Sequence, residues 1–227
     1  MRGLVALGLF QSQDEINRSP KQTYGEVRPG DIRYKDVNAD GKIDDDDVVP
    51  IAHSNVPQIQ YGFALEYRYK RWTISALFTG AAKVNFLYGG SGFYPFSGGE
   101  VGNILSIVND PKNRWTPAWY SGDPSTENPN ARFPRLTYGE NKNNNRASTF
   151  WLADGSYLRW KSLDISYRIG TNKALRTVGI SDMNLQFVGQ NLAVWDSVKL
   201  WDPGQASKNG AVYPLQRTFS LQLTATF

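Results

Sequence analysis

Strict alternation of apolar and polar side chains, sustained over two separate stretches, most narrows what this chain can become. At the C-terminus Leu215, Phe219, Leu221, Leu223, Ala225 and Phe227 share one parity, broken by Arg217, while Gln216, Thr218, Ser220, Gln222, Thr224 and Thr226 hold the other. From 58 to 69, Ile59, Tyr61, Phe63, Leu65, Tyr67 and Tyr69 alternate with Gln58, Gln60, Gly62, Ala64, Glu66 and Arg68. A period of two belongs to a strand with one apolar and one wet face. Strands of soluble sandwiches usually run about five or six residues. These runs reach the roughly 9 to 11 residues with which a tilted strand crosses a bilayer.

Three further segments repeat the pattern less cleanly. Trp72, Ile74, Ala76 and Phe78 alternate with Thr73, Ser75 and Thr79, with Leu77 on the polar side; Met183, Leu185 and Phe187 alternate with Asn184 and Gln186. Leu163, Ile165, Tyr167 and Ile169 alternate with Ser162, Asp164, Ser166 and Arg168, but upstream Arg159 and Lys161 take the apolar parity. That phase flip predicts a bulge or the edge of the apolar band. The connections are lopsided: a tight turn at Tyr69, Lys70 and Arg71 and a short link near 170–180, against long excursions at 82–155 and 194–214. Short turns at one end and long loops at the other are the layout of an outer-membrane barrel. The expected fold is therefore all-β, an antiparallel transmembrane β-barrel segment with about five strands. Residues 1–57 form an extracellular loop region, and 58–227 carry the strands together with the long extracellular loop 82–155. The alternative is a secreted β-sandwich, in which one strand face packs on a partner sheet.

Composition removes other classes. With no Cys and a single His, His53, the chain has no disulfide framework, no thiolate site and little room for His-based catalysis. Its net charge of +4 is spread without a basic run, which argues against nucleic acid. No stretch approaches the roughly 18 to 20 apolar residues of a membrane helix. The opening MRGLVALGLF has too short an apolar run for a signal peptide and reads as the interior of a longer protein. No nucleophile elbow, P-loop or dinucleotide fingerprint is present, so no enzyme is expected.

Residues 36–47, DVNADGKIDDDD, concentrate negative charge in a basic chain. An EF-hand-type loop places oxygen ligands at positions 1, 3, 5, 7, 9 and 12, with Gly at 6. Asp36, Asn38, Asp40, the carbonyl of Lys42, Asp44 and Asp47 fill those slots, with Gly41 at the turn and Ile43 at the apolar position. An all-oxygen set suits structural Ca2+ better than zinc or copper. Asp47 replaces the usual bidentate Glu, which predicts a weaker site. An Asp-rich turn without an ion is the plainer alternative.

The ordered runs PGDIRYKDVNADGKIDDDD, RWTPAW, ARFPRL, STFWLADGSYLRWKSLDISYRI and GQNLAVW, the DPG at 202–204 and the last strand ending in Phe227 resemble the C-terminal part of SusC/RagA-type TonB-dependent outer-membrane transporters. The resemblance implies a barrel of about 22 strands with a plugged lumen, in the outer membrane of a Gram-negative bacterium. It implies import of oligosaccharides or peptides, a SusD-like surface lipoprotein as partner, and coupling to the TonB complex through an N-terminal part that this stretch lacks. Phe227 resembles the terminal aromatic read by the barrel-assembly machinery. The runner-up function is a secreted calcium-dependent carbohydrate-binding or dockerin-like module.

Aromatic residues supply the remaining candidates. Tyr67, Tyr69 and Trp72 are expected in one interfacial girdle, and Trp151, Tyr157 and Trp160 in the other. Phe93, Tyr94, Phe96, Trp115, Trp119 and Tyr120 in the long loop are candidate contacts for a ligand or a lid protein, with self-packing as the alternative. Val101, Ile104, Leu105 and Val108 have the spacing of a short amphipathic helix. Glu66, Arg68, Asp164 and Arg168 are expected on the polar interior.

Overall fold

The structure, a computed structural model, describes residues 1–97 and 103–227. Five long strands dominate it: β1 (Ile59–Tyr69), β2 (Trp72–Ala82), β3 (Tyr157–Arg168), β4 (Asp182–Asp196) and β5 (Thr218–Thr226). They form one sheet in which each strand pairs antiparallel with its neighbours in sequence. Tyr69 faces Trp72 directly, so Lys70 and Arg71 alone make the first turn. Lys70 takes φ 53°, the sign that the hand of a two-residue hairpin turn demands.

The register joins the separate alternations into two continuous faces. Phe63 lies opposite Phe78, Tyr67 opposite Ile74 and Ile74 opposite Ile165. Ile165 in turn faces Phe187, which faces Leu221. This apolar face is open: Leu65, Phe219 and Leu221 are 61%, 61% and 72% exposed. Aromatic stacking runs along it, with Phe63 and Phe78 at 4.9 Å and Trp72 and Tyr167 at 4.6 Å between centroids. The other face is polar. There Gln186 donates to Asp164, Ser166 bonds Asn184 at 3.0 Å, Arg168 pairs with Asp182, and Glu66 pairs with Arg68.

A register shift falls between Trp160 and Ser162 against both neighbouring strands. Trp160 faces Phe78 and Ser162 faces Leu77, so Lys161 is the extra residue, and the bulge expected from its parity lies there. Upstream of it Arg159 keeps to the polar side, opposite Thr79. Its guanidinium reaches both oxygens of Asp202 at 2.6 Å. Asp202 also accepts the N–H of Gly204 at 2.9 Å, which fixes the DPG turn. Gly80 lies opposite Tyr61. A Cβ there would stand 2.3 Å from the Tyr61 ring and 2.5 Å from the Tyr157 carbonyl, so the ring needs a glycine beneath it.

The sheet is open. Its outer strands, β1 and β5, each have a single pairing partner, and the described residues form no closed barrel. Short helices also occur, at Gln13–Arg18, Ser106–Asn109, Ala118–Ser121 and Lys173–Thr177, so the fold is mostly rather than wholly β. Of the helix expected around Val101 to Val108, Val101 lies outside the described residues and Val108 is buried in Ser106–Asn109.

By compactness the chain divides into residues 1–55, 85–153 and 207–211 as one unit, and 56–84, 154–206 and 212–227 as another. The division differs from the linear one expected at residue 57, because most of the long loop packs with the N-terminal segment. The first unit has its own core, including Leu4, Phe10, Ile32, Tyr34, Ile43, Phe93, Phe133 and Trp151. Phe93 meets Trp151 edge-on at 5.6 Å and stacks on Tyr88 at 5.0 Å. Two expected girdle residues are thereby corrected. Trp151 is 2% exposed inside this cluster, and Tyr157, opposite Ala81 and Asp196, keeps the polar parity of its strand. Trp160 does lie on the apolar face, 5.7 Å from Phe78.

Candidate functional site

The acidic loop is built from side chains that fold back on their own backbone. Asp36 accepts the N–H groups of Ala39 and Gly41 at 2.7 and 2.9 Å, Asn38 that of Asp40 at 3.0 Å, and Asp40 that of Lys42 at 2.9 Å. Asp44 accepts the N–H of Asp46 at 3.0 Å and caps the turn Asp45–Asp47. Such short-range bonds are what Asn and Asp contribute to turns. Gly41 stands at φ 85°, the left-handed conformation that position 6 of a calcium loop requires. Asp47 is fully buried, and it closes the loop by accepting from Val37 at 2.6 Å and Asp44 at 3.1 Å. Ile43 is buried as its apolar slot implies, and Lys42–Ile43 pair with Lys21–Gln22.

Whether these donors suit a cation can be judged from their arrangement. The two Asp36 oxygens each accept a single N–H, whereas Asp47 Oδ1 already accepts two, from Val37 and Asn38, and the Gly turn has the needed hand. Yet among the described residues no three His, Cys, Asp or Glu side chains gather closely enough to hold a metal ion. The ion-pair partner of Asp45, at position 10, is Arg146, whose guanidinium lies 4.0 Å over the Tyr24 ring. Burial is the main reason that the Tyr24 phenol is pushed up to about 12.

The six loop aromatics separate into two groups. Phe93 is buried in the core, Tyr94 donates its hydroxyl to the Tyr88 carbonyl at 3.3 Å, and Phe96 packs on Tyr138 at 5.6 Å. For these three, self-packing describes the contacts. Trp115, Trp119 and Tyr120 instead come together along a cleft of about 490 Å3, which Arg28, Arg114 and Arg135 also line. Trp115 is buried and donates its indole N–H to Gln11 at 3.2 Å. Trp119 and Tyr120, on the short helix Ala118–Ser121, are 84% and 67% exposed and meet edge to face at 6.0 Å.

Each guanidinium is held from behind. Arg114, buried, donates to the carbonyls of Val108 and Asn109 at 2.6 and 2.7 Å. Arg135 donates from Nη2 to Asp31 at 3.0 Å, while its Nε, 2.9 Å from the other Asp31 oxygen, lies off the line of a hydrogen bond. Asp31 is wholly buried and also accepts from Asn141, Asn144 and the N–H of Arg28, so four hydrogen-bond donors converge on one carboxylate. Arg28 is exposed and forks onto Glu26, which draws the Glu26 carboxyl below its ordinary range. Sequence reasoning did not find these arginines. RWTPAW places Arg114 beside Trp115, but Arg28 and Arg135 come together through the contacts of Arg135 with Gly30 and Asp31, more than a hundred residues away in sequence.

Phe227 follows the last paired residue, Thr226 opposite Asp182, and is 84% exposed. His53 is exposed, and its backbone N–H donates to Asn85 at 3.2 Å.

No protein-family model matches the chain. In sequence it is 28% identical to TonB-dependent receptor P26 of Formosa agariphila, in an alignment covering 99% of this chain and 22% of that protein. The chain is similar to TonB-dependent receptors. A second such protein of that organism, TonB-dependent receptor P3, is 24% identical over 89% of this chain and 20% of its own length. The chain thus spans about a fifth of the length of the curated receptors it matches. Among solved structures, the RagAB peptide transporter covers the whole chain with a TM-score of 0.67 at 18% identity, using 22% of its own chain. The RagAB peptide importer in the open-open state gives 0.66 at 18%. At that identity the likeness is one of fold. These relatives are receptors and transporters, not enzymes, and no catalytic residue is assigned to this receptor-like chain.

Proposed function

We infer that this chain is the C-terminal wall segment of a TonB-dependent importer in the outer membrane of a Gram-negative bacterium. The observation that carries the reading is the open apolar face of the five-stranded sheet, with a polar face behind it and unpaired edges at β1 and β5. In water such a face and such edges would drive aggregation. In a bilayer the face meets lipid, and further strands of the same barrel satisfy the edges. The resemblance extends the proposal to uptake of oligosaccharides or peptides, to a SusD-like lipoprotein over the outer mouth, and to energy from the TonB complex. The long-loop unit then faces the cell exterior, and Phe227 serves as the assembly signal.

The chain has no Cys, so single cysteines report cleanly. A fluorophore at Leu65→Cys is expected to be quenched by a lipid-soluble quencher, and one at the adjacent Glu66→Cys by a water-soluble one, in reconstituted vesicles. Equal quenching of both from water, or a monodisperse protein without detergent, would remove the barrel reading.

Structural Ca2+ at Asp36, Asn38, Asp40, Lys42, Asp44 and Asp47 belongs to the same proposal and is supported by the ligand spacing and the Gly41 turn. Calorimetric titration with Ca2+ should show binding that Asp36→Ala with Asp40→Ala abolishes. An isotherm with no heat for the unmodified protein would leave the loop as a self-capped turn.

A further inference from the structure

We propose that the cleft between Trp119 and the arginines Arg28, Arg114 and Arg135 binds an acidic oligosaccharide, a sugar chain carrying carboxylate or sulfate groups. The proposal rests on the importer reading and specifies the substrate class at its outer surface.

Three observations carry it. First, the charge is one-sided: Arg28, Arg114 and Arg135 line the cleft and, among the described residues, no Asp or Glu does. Glu26 and Asp31 hold Arg28 and Arg135 from outside the lining, whereas Arg114 is held by the main-chain carbonyls of Val108 and Asn109 and has no ion pair among the described residues. Guanidinium forks are the groups best matched to carboxylate and to sulfur or phosphorus oxyanions. Second, the flat rings of Trp119 and Tyr120 lie open to solvent beside that charge. A ring exposed to this extent is a platform for the C–H face of a partner and contributes most once covered.

Third, main-chain groups of the lining are already committed. The N–H groups of Arg28, Trp115, Thr116, Tyr120 and Arg135 are bonded within the protein, and Pro29 and Pro117 have none. A peptide captured by strand addition needs free main-chain donors and acceptors along an edge. A ligand read by ring faces and fixed cations does not. Arg28 and Arg135 also border a second, more polar cleft of about 320 Å3, lined by Tyr24 and Lys142 and by the acidic Glu26 and Glu140. An oligomer laid across the two arginines therefore has room for an acidic unit on the Trp119 side and an uncharged one on the other.

The test is tryptophan-fluorescence and calorimetric titration of the detergent-solubilised protein with a galacturonate tetrasaccharide, a sulfated galactan tetrasaccharide, a neutral galactose tetrasaccharide and tetraglutamate. An acidic sugar should bind about tenfold or more tighter than the neutral one, and Trp119→Ala and Arg28→Ala, both at exposed positions, should each weaken it about tenfold. Neutral sugar binding as tightly as acidic sugar overturns the charge argument. Tetraglutamate binding with the same dependence on both residues overturns the sugar and leaves the importer reading standing. Absence of binding by either acidic sugar, in protein that passes the Leu65/Glu66 quenching test, overturns this inference alone.

Discussion

Arg159 and Asp202 face each other across the polar side of the sheet as a nearly buried pair, with side chains 8% and 13% exposed and Nη2 at 2.6 Å from both carboxylate oxygens. Removing one partner strands the other charge in a poorly hydrated place. Arg159→Ala is expected to destabilise the folded protein by about 3 to 5 kcal/mol, and Arg159→Met with Asp202→Leu by much less. A double-mutant cycle on thermal unfolding in detergent measures the difference; a double variant whose loss equals the sum of the two single losses would show that the pair is not coupled.

Gly80→Ala tests the cross-strand fit with Tyr61. The added methyl meets both the movable ring and the fixed Tyr157 carbonyl. A cost of about 1 to 3 kcal/mol is expected from overpacking, and Tyr61→Ala should restore only part of it because the carbonyl stays. Full recovery in the double variant would mean that the ring is the sole obstacle.

Asp47→Ala should destabilise the acidic loop whether or not calcium is present. Its buried carboxylate accepts the N–H groups of Val37 and Asp44. Losing them is expected to cost about 1 to 3 kcal/mol. Hydrogen exchange at those two amides, compared with and without a calcium chelator, reads the effect directly.

High pH should loosen the unit that contains the long loop. Burial pushes Tyr24 and Tyr94 up to about 12 and Tyr34 further, from an ordinary 10.0. The native state therefore holds these protons more tightly than the unfolded chain. Their contribution to stability is complete below pH 10 and is lost as pH rises through about 12. Tyrosinate absorbance should show a group of late-titrating phenols, and Tyr24→Phe should remove one of them. Titration of every tyrosine near its ordinary value would contradict this.

The strands were legible because a period of two is a local property. Ile59–Tyr69 and Trp72–Ala82 follow the alternation and its two-residue turn almost residue for residue. The last strand starts at Thr218 rather than 215, and β4 runs on to Asp196 past Asn191, which sits at φ 53° where the register shifts. What the sequence hid was long-range. Asn141, Asn143 and Asn144 look like a solvated loop, yet Asn143 and Asn144 are buried, and Asn141 and Asn144 bond Asp31 over a hundred residues away. Arg135 depends on that same carboxylate, so no local pattern could have placed it in the cleft. Trp151 looked like an interfacial aromatic because its neighbours in sequence are strand-like, and its burial comes from Phe93 and Phe133, far along the chain.

The single unmatched residue at Lys161 also dictates which length changes this wall can absorb. Because Trp160 and Ser162 face the adjacent residues Phe78 and Leu77 of β2, excising Lys161 would straighten the ladder there and leave Trp160 on the apolar side and Arg159 on the polar side. A deletion of one residue at this point is therefore absorbed by the bulge, whereas one in the regular run from Ile165 to Tyr167 would turn neighbouring side chains to the opposite face. In related chains, a gap of one residue should fall at this point rather than further along the strand.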